Sequence, residues 1–206
     1  MYFDPAEGMR PPPLKHGPFK SLVVPRPIGW ISTVSADGVV NLAPFSYFNA
    51  VCDDPPMVMY CPNGGHPEGG GKDSLKNVED TGEFVFNLAN WETREQMNAS
   101  SEHVARSVDE MTHTGLAALP SEKVRPPRVA AAPAHFECVL QQIVDLPQSR
   151  RGGGNYMVIG KVVGIHINDD VIVDGKIDIC RLRPVARLGY FDYAVVNEAF
   201  EMLRPD

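Results

Sequence analysis

No apolar run in this 206-residue sequence approaches the roughly 18 residues of a membrane-spanning helix, so no membrane partner is expected. Positive charge is also scarce: 19 basic residues stand against 26 acidic ones, a net charge of −7. A protein that grips nucleic acid through its whole surface carries the opposite balance, so no nucleic-acid partner is expected either. The four cysteines, Cys52, Cys61, Cys138 and Cys180, form no CxxC pair, and each lies in or beside an apolar segment. Cysteines in that setting act as small hydrophobes, which argues for a reducing cytoplasm and against a disulfide frame or zinc site. Met1 to Glu7 hold neither a basic leader nor an apolar stretch, so no signal peptide is expected. The six histidines never pair at metal-ligand spacing, and no G-x-S-x-G elbow anchors a hydrolase reading.

What is present is ordinary globular material. Hydrophobic residues make up 43% and charged residues 22%, which excludes a disordered chain. A chain of this length buries a sizeable core and forms one domain. Glycine (18) and proline (19) supply many turns. Residues 1–27 are proline-rich and read as an extended arm packed over the body. Ile28 to Ser35 reads as a strand, Asp37-Gly38 as a hairpin turn, and Val39 to Leu42 as the return strand, stopped by Pro44. Phe45 to Val51 reads as a further strand, with a turn at Asp53-Asp54-Pro55-Pro56. Met57 to Cys61 reads as a strand buried on both faces.

A Gly-rich mobile loop, residues 62–72, then leads into a short helix from Ser74 to Thr81, capped by Asp73 and ended by Gly82. Phe84 to Leu88 is a strand, and residues 91–112 read as a partly exposed helix closing at Gly115. Residues 135–146 and 155–167 read as two long strands. Both faces of the second are apolar, as in a barrel wall covered by helix or by another subunit. Arg150 to Asn155 forms a basic hairpin tip between them, and Asp174-Gly175 marks a last hairpin. Many hairpin signals, few helices and no βαβ alternation point to a mainly β fold, an antiparallel barrel with flanking helices.

Two segments stand out. The Gly-rich loop is no P-loop, because His66 and Asp73 stand where the pattern needs Gly and Ser or Thr. Lys72-Asp73-Ser74 nevertheless sits where a loop enters a helix. That point offers free amides, a positive dipole end, a hydroxyl and an ammonium, the groups one phosphate needs. Against this stands an ordinary capped helix with a solvated lysine. In Asn41 to Val51, the polar Asn41, Ser46 and Asn49 interrupt an apolar run, and Pro44 removes a ladder donor. Amides and hydroxyls exposed there could read the edge of a flat heterocycle, or could belong to a distorted edge strand. His66-Pro67-Glu68 lacks the P-C-x-x-C of a zinc deaminase. Trp30 and Tyr60 suit a core, and Arg181, Arg183 and Arg187 cluster near the end of the chain.

Several motifs in order resemble the flavin reductase-like domain family. They are Arg26 to Val34, Asp37-Gly38, Asn41 to Asn49, Asp54-Pro55-Pro56, Lys72 to Asn77, Gly82 to Leu88, Glu137-Cys138 and Leu182 to Gly189. The resemblance covers roughly residues 20–192, leaving residues 1–19 as an N-terminal arm and 193–206 as a tail. It implies an antiparallel split β-barrel of the FMN-binding type, a homodimer with FMN, or alternatively FAD, near the subunit interface. Carried across by motif, Ser32 and Thr33 would follow the ribityl chain, with Trp30 in the same segment. Ala43, Pro44, Phe45, Ser46 and Asn49 would face the isoalloxazine. Lys72 and Ser74 would hold the phosphate, with Asp73 capping the helix, and Arg187 and Tyr190 would close the site. The hydride chemistry is the cofactor's, so no side chain is assigned as catalytic.

The implied activity is an FMN-dependent oxidoreductase. It would pass electrons from NAD(P)H to flavin and on to an acceptor, a partner monooxygenase or an electron-transfer protein. Many members carry Gly-Asp-His before the strand that begins near Tyr156, with the histidine at the nicotinamide donor. Here that place reads Gly153-Gly154-Asn155, and asparagine carries no charge. This favours a flavoredoxin-like carrier that takes electrons from another protein; a non-enzymatic flavin-binding barrel is a separate alternative.

Overall fold

The computed structural model describes residues 1–149 and 152–205. Arg150 and Arg151 of the expected basic tip lie outside these residues. The chain starts with a one-turn helix α1 (Phe19–Leu22) and strand β1 (Arg26–Pro27), so the arm is not wholly extended. Next come β2 (Gly29–Val34), β3 (Val40–Phe45), β4 (Phe48–Asp53) and β5 (Pro56–Tyr60), then α2 (Asp73–Thr81) and β6 (Glu83–Leu88). Two short helices, α3 (Arg94–Ala99) and α4 (Glu110–His113), precede the small strands β7 (Ala118–Leu119) and β8 (Arg128–Val129). The long strands β9 (Ala134–Leu146) and β10 (Asn155–Ile167) follow. The chain ends with the hairpin β11 (Ile172–Val173) and β12 (Lys176–Ile177), α5 (Ile179–Leu182), and the pair β13 (Val185–Arg187) and β14 (Tyr193–Val195).

Seven strands form one antiparallel sheet in the order β3-β2-β6-β9-β10-β5-β4. Its two edge strands, β3 and β4, are consecutive and separated only by Ser46 and Tyr47. The three Cα–Cα steps from Phe45 to Phe48 span at most ~11 Å. The sheet must therefore curl until its edges meet, which makes it a barrel with a seam. Gly29 makes the closure possible, because a Cβ there would stand 2.5 Å from the Phe48 ring. Phe48 in turn stacks on Phe86 at 4.6 Å, so the seam is packed by aromatic contact across the barrel. Tyr60, Phe84, Ile31, Leu75 and Val78 complete this core. Each such side chain contributes roughly 1.5–3 kcal/mol by leaving water.

The structure corrects several expectations. Pro44 does not stop the return strand: it pairs with Trp30 inside β3, tolerated because β3 is an edge. The expected strand from Phe45 to Val51 is broken at the Ser46–Tyr47 corner, because the chain there passes from one sheet edge to the other. In β5 the burial alternates, with Val58 and Tyr60 buried and Met57 and Met59 half-buried. The helix expected over residues 91–112 is two pieces. Asn90 and Thr93 bond each other's main chain and side chains at the first, and the Asp109 carboxylate accepts from the Thr112 amide at the second. Such side-chain-to-backbone bonds offer the chain an alternative to continuous helix. On β10, Val158 and Val162 are buried, while within one chain the opposite face is half-buried and Ile165 is exposed, so this chain alone does not cover the second face.

A second core, Trp30, Leu42, Met97, Met111 and Val129, fixes the short helices against β2 and β3. Asn87 is fully buried and ties this side together. Its side-chain N–H donates to the Trp30 carbonyl and to Ser32 Oγ, both at 3.1 Å, and its Oδ1 accepts from the Val129 amide at 2.7 Å. Glu137, also fully buried, accepts from the amides of Glu122 and Lys123 and from the His166 ring at 2.5 Å. Burial alone would raise its pKa, but these donors together hold it below the usual value.

Candidate functional site

The site is built on the start of α2. Gly82, with φ +72°, ends that helix as expected, its amide donating to the Val78 carbonyl at 2.9 Å. At the other end the N-cap is Lys72, in extended conformation, and no side chain caps the helix. Asp73 is thus not the cap. Its carboxylate accepts from the Arg106 guanidinium and lies 3.4 Å from His66 Nε2. Arg106 also donates to the carbonyls of Gly69 (2.7 Å) and Gly71 (3.0 Å), tying the Gly-rich loop to the helix. The Leu75 and Lys76 amides both donate to the Lys72 carbonyl at 3.0 Å, which leaves those of Asp73 and Ser74 at the open end of α2.

Ser74 sits at this end, 1% exposed, and its buried Oγ has no hydrogen-bond partner. Buried hydroxyls are rarely left so, and an orphaned one costs ~1–3 kcal/mol. Ser74 lines a cleft with Lys72, Asp73, His66, Ala43, Pro44, Phe45 and Ser101. Pro44 and Ser101 also line the adjoining cleft, whose walls include Ser46, Lys20, Arg26, Arg187 and Tyr190. One continuous groove therefore runs from the start of α2, along β3 at the barrel seam, to the β13–β14 turn.

Nine of the sequence-derived site residues line this groove: Ala43, Pro44, Phe45, Ser46, Lys72, Asp73, Ser74, Arg187 and Tyr190. Trp30, Ser32 and Thr33 are fully buried beneath it and use their polar atoms inward. Ser32 Oγ donates to the Pro127 carbonyl at 2.6 Å, and Thr33 Oγ1 accepts from Asn77 at 3.0 Å. Asn49 lies exposed on β4, its Oδ1 accepting from the Ala50 amide, and lines neither part of the groove.

Sequence reasoning missed Arg106, His66 and Glu110, because their roles arise from contacts distant in sequence. Glu110 lines the groove beside Asn41 and accepts from the Leu42 amide at 2.5 Å. Burial pushes its pKa up to about 7, with the Leu42 amide opposing.

The model of the family described as "Flavin reductase like domain" matches residues 21–193. The chain belongs to this family. An uncharacterised protein of Halalkalibacterium halodurans is 36% identical over 185 residues, 89% of this chain and 87% of that protein. Among solved structures, nitrilotriacetate monooxygenase component B from Bacillus cereus superposes with TM-score 0.87 at 27% identity, covering 98% of each chain. The Pseudomonas fluorescens 2-nitrobenzoate 2-nitroreductase NbaA gives TM-score 0.79 at 26% identity, covering 91% of this chain and 88% of that one. The mainly antiparallel barrel described above is the split-barrel fold of this flavin reductase-like family.

Proposed function

We propose that the groove holds FMN and that the protein is a flavin-dependent oxidoreductase serving an acceptor or a partner monooxygenase. One observation carries the reading: the orphaned, buried Ser74 hydroxyl at the amino end of a nine-residue helix, beside Lys72. A phosphate would satisfy that hydroxyl, use the free amides and offset the lysine charge. The residues present thus fit the anionic tail of FMN, which carries about −1.5 to −2 charges. FAD is the alternative, with a pyrophosphate at the same place.

When bound, flavin supplies the electron storage and transfer. The chain's own part is binding and orientation. Lys72 and Ser74 anchor the tail. Arg106 keeps Asp73 engaged, so its carboxylate does not oppose the phosphate as a lone charge. Ala43 to Ser46, on the edge strand at the seam, face the ring, and Arg187 with Tyr190 borders its far end. Trp30, Ser32 and Thr33 act indirectly, by fixing β2 beside its neighbour β3 in the sheet. We also place the protein in the cytoplasm as a homodimer, the exposed Ile165 and Ile167 of β10 supplying apolar contact area.

The electron donor is either NAD(P)H or another protein. Asn155 favours the second, because its side-chain amide is spent on the Pro147 carbonyl at 2.7 Å within its own hairpin. The test is the absorption spectrum of the purified protein, identification of the released cofactor, and NADH and NADPH oxidation with added FMN. A protein that stays colourless in excess FMN refutes the flavin reading. Flavin bound without nicotinamide oxidation assigns the electron-carrier form.

A further inference from the structure

Arg187 belongs to two clefts. The first, about 390 Å³, adjoins Pro44 and Ser46 and carries three cations, Lys20, Arg26 and Arg187. Among the described residues no aspartate or glutamate lines it, in a chain of net charge −7. Arg26 is 6% exposed and bonds only main-chain carbonyls, those of Lys20, Val23 and Leu188. Its Nε is buried without a partner. Arg187 donates to the Tyr190 carbonyl at 2.5 Å and has no carboxylate within ion-pair reach among the described residues. Buried guanidinium charge without a counter-ion is costly, and a bound anion removes that cost.

The second cleft, about 430 Å³, is walled by Trp91, Met97, Phe191, Tyr193 and Val195. The Arg94 guanidinium carbon stands over the Trp91 ring, 3.9 Å from its centroid, and Arg94 pairs with Glu95, the one acidic residue in this lining, at 3.3 Å. Arg187 lies 4.4 Å over the Tyr193 ring and so stands at the junction of both clefts. Flat aromatic and guanidinium walls select a planar ring, and an unpaired arginine fork selects a carboxylate.

We propose that the two clefts together bind a planar aromatic carboxylate, its ring between the Trp91–Arg94 stack and Tyr193 and its carboxylate on Arg187. Binding of the acid stands alone. Its role as substrate rests on the flavin reading, since the cationic cleft is continuous with the groove at Pro44.

Calorimetric titration of the full-length protein, flavin-free and FMN-saturated, tests this with benzoate, its neutral isostere benzamide, and ADP-ribose as probes. The expected result is benzoate binding about tenfold more tightly than benzamide. Arg187→Gln should erase that preference and leave benzamide affinity within about twofold, whereas Trp91→Ala should weaken both. Equal affinity for benzoate and benzamide in the unaltered protein overturns the proposal, whatever the variants do. So does a preference that survives Arg187→Gln, or ADP-ribose binding more tightly than benzoate, which would assign the cations to a dinucleotide. If FMN does not bind, the flavin-free titrations still decide the carboxylate site, and the flavin reading fails separately.

Discussion

The indole N–H of Trp30 donates to Ser100 Oγ at 2.9 Å, joining β2 to the end of α3 across 70 residues of sequence. Ser100 Oγ in turn donates to the Met97 carbonyl at 2.9 Å, so the hydroxyl is used twice. Ser100 and Ser101 form one wall of the groove. Trp30 therefore shapes the site without lining it. Trp30→Phe keeps the apolar packing and leaves Ser100 short of a donor. It should lower stability by about 1–2 kcal/mol in urea unfolding and weaken FMN severalfold. An unchanged midpoint would show that the bond contributes nothing.

Ser74→Ala should weaken FMN by about tenfold, a loss of ~1.4 kcal/mol, because the phosphate loses a hydroxyl donor. Riboflavin, which lacks the phosphate, should bind equally to both proteins. Flavin fluorescence titration separates the two. Equal loss for both ligands would mean that Ser74 does not meet the phosphate.

Glu110 gives a pH dependence of defined sign. Its carboxyl keeps its proton to about pH 7 in the folded protein, against 4.5 for the ordinary group. The native state thus binds the extra proton between these values. The associated stability is complete below about pH 4.5 and is lost as pH rises through 7, by up to about 3 kcal/mol. Glu110→Gln keeps an acceptor for the Leu42 amide and should remove the fall in urea midpoint between about pH 6.5 and 8, above the range in which His135 titrates. A slope equal to that of the unaltered protein would sink the assignment.

His135 acts in the opposite direction. Burial lowers its pKa from 6.5 to about 4, with the Val129 carbonyl bond opposing. The unfolded state binds the proton first, so stability falls as pH drops from 6.5 towards 4, again by up to about 3 kcal/mol. NMR titration of the His135 ring should show it neutral at pH 6, and a charged ring there would contradict the burial argument.

Gly29→Ala should lower stability by about 1–3 kcal/mol, because its Cβ would meet the Phe48 ring at the barrel seam. Thermal unfolding measures this. An unchanged Tm would show that β4 shifts freely at the seam.

Local chemistry made much of the barrel readable. Asp37-Gly38 and Asp174-Gly175 are turns, with φ of +88° at Gly38 and +49° and +74° at Asp174 and Gly175. Gly82 stops α2, and β9 and β10 run over almost the expected residues. Turns and periodicity are properties of neighbours in sequence, so a sequence carries them directly. The Lys72-Asp73-Ser74 entry to a helix was legible for the same reason. The break between α3 and α4 was not: Asn90, Thr93 and Asp109 turn their side chains onto nearby backbone groups there, and the end of α3 is held by a bond from Trp30 to Ser100, 70 residues apart.

By itself, then, the sequence determined the hairpins, the long strands, the start of α2 and the family likeness. Tertiary structure alone decided that Asp73 pairs with Arg106 rather than capping α2, and that Ser74 is left buried with an unmet hydroxyl. It also decided that Arg187 meets Pro44 across one groove. The physical reason is closure: joining two edge strands by two residues forces the sheet round on itself. Which side chains then share a cleft depends on that curvature and not on their spacing along the chain.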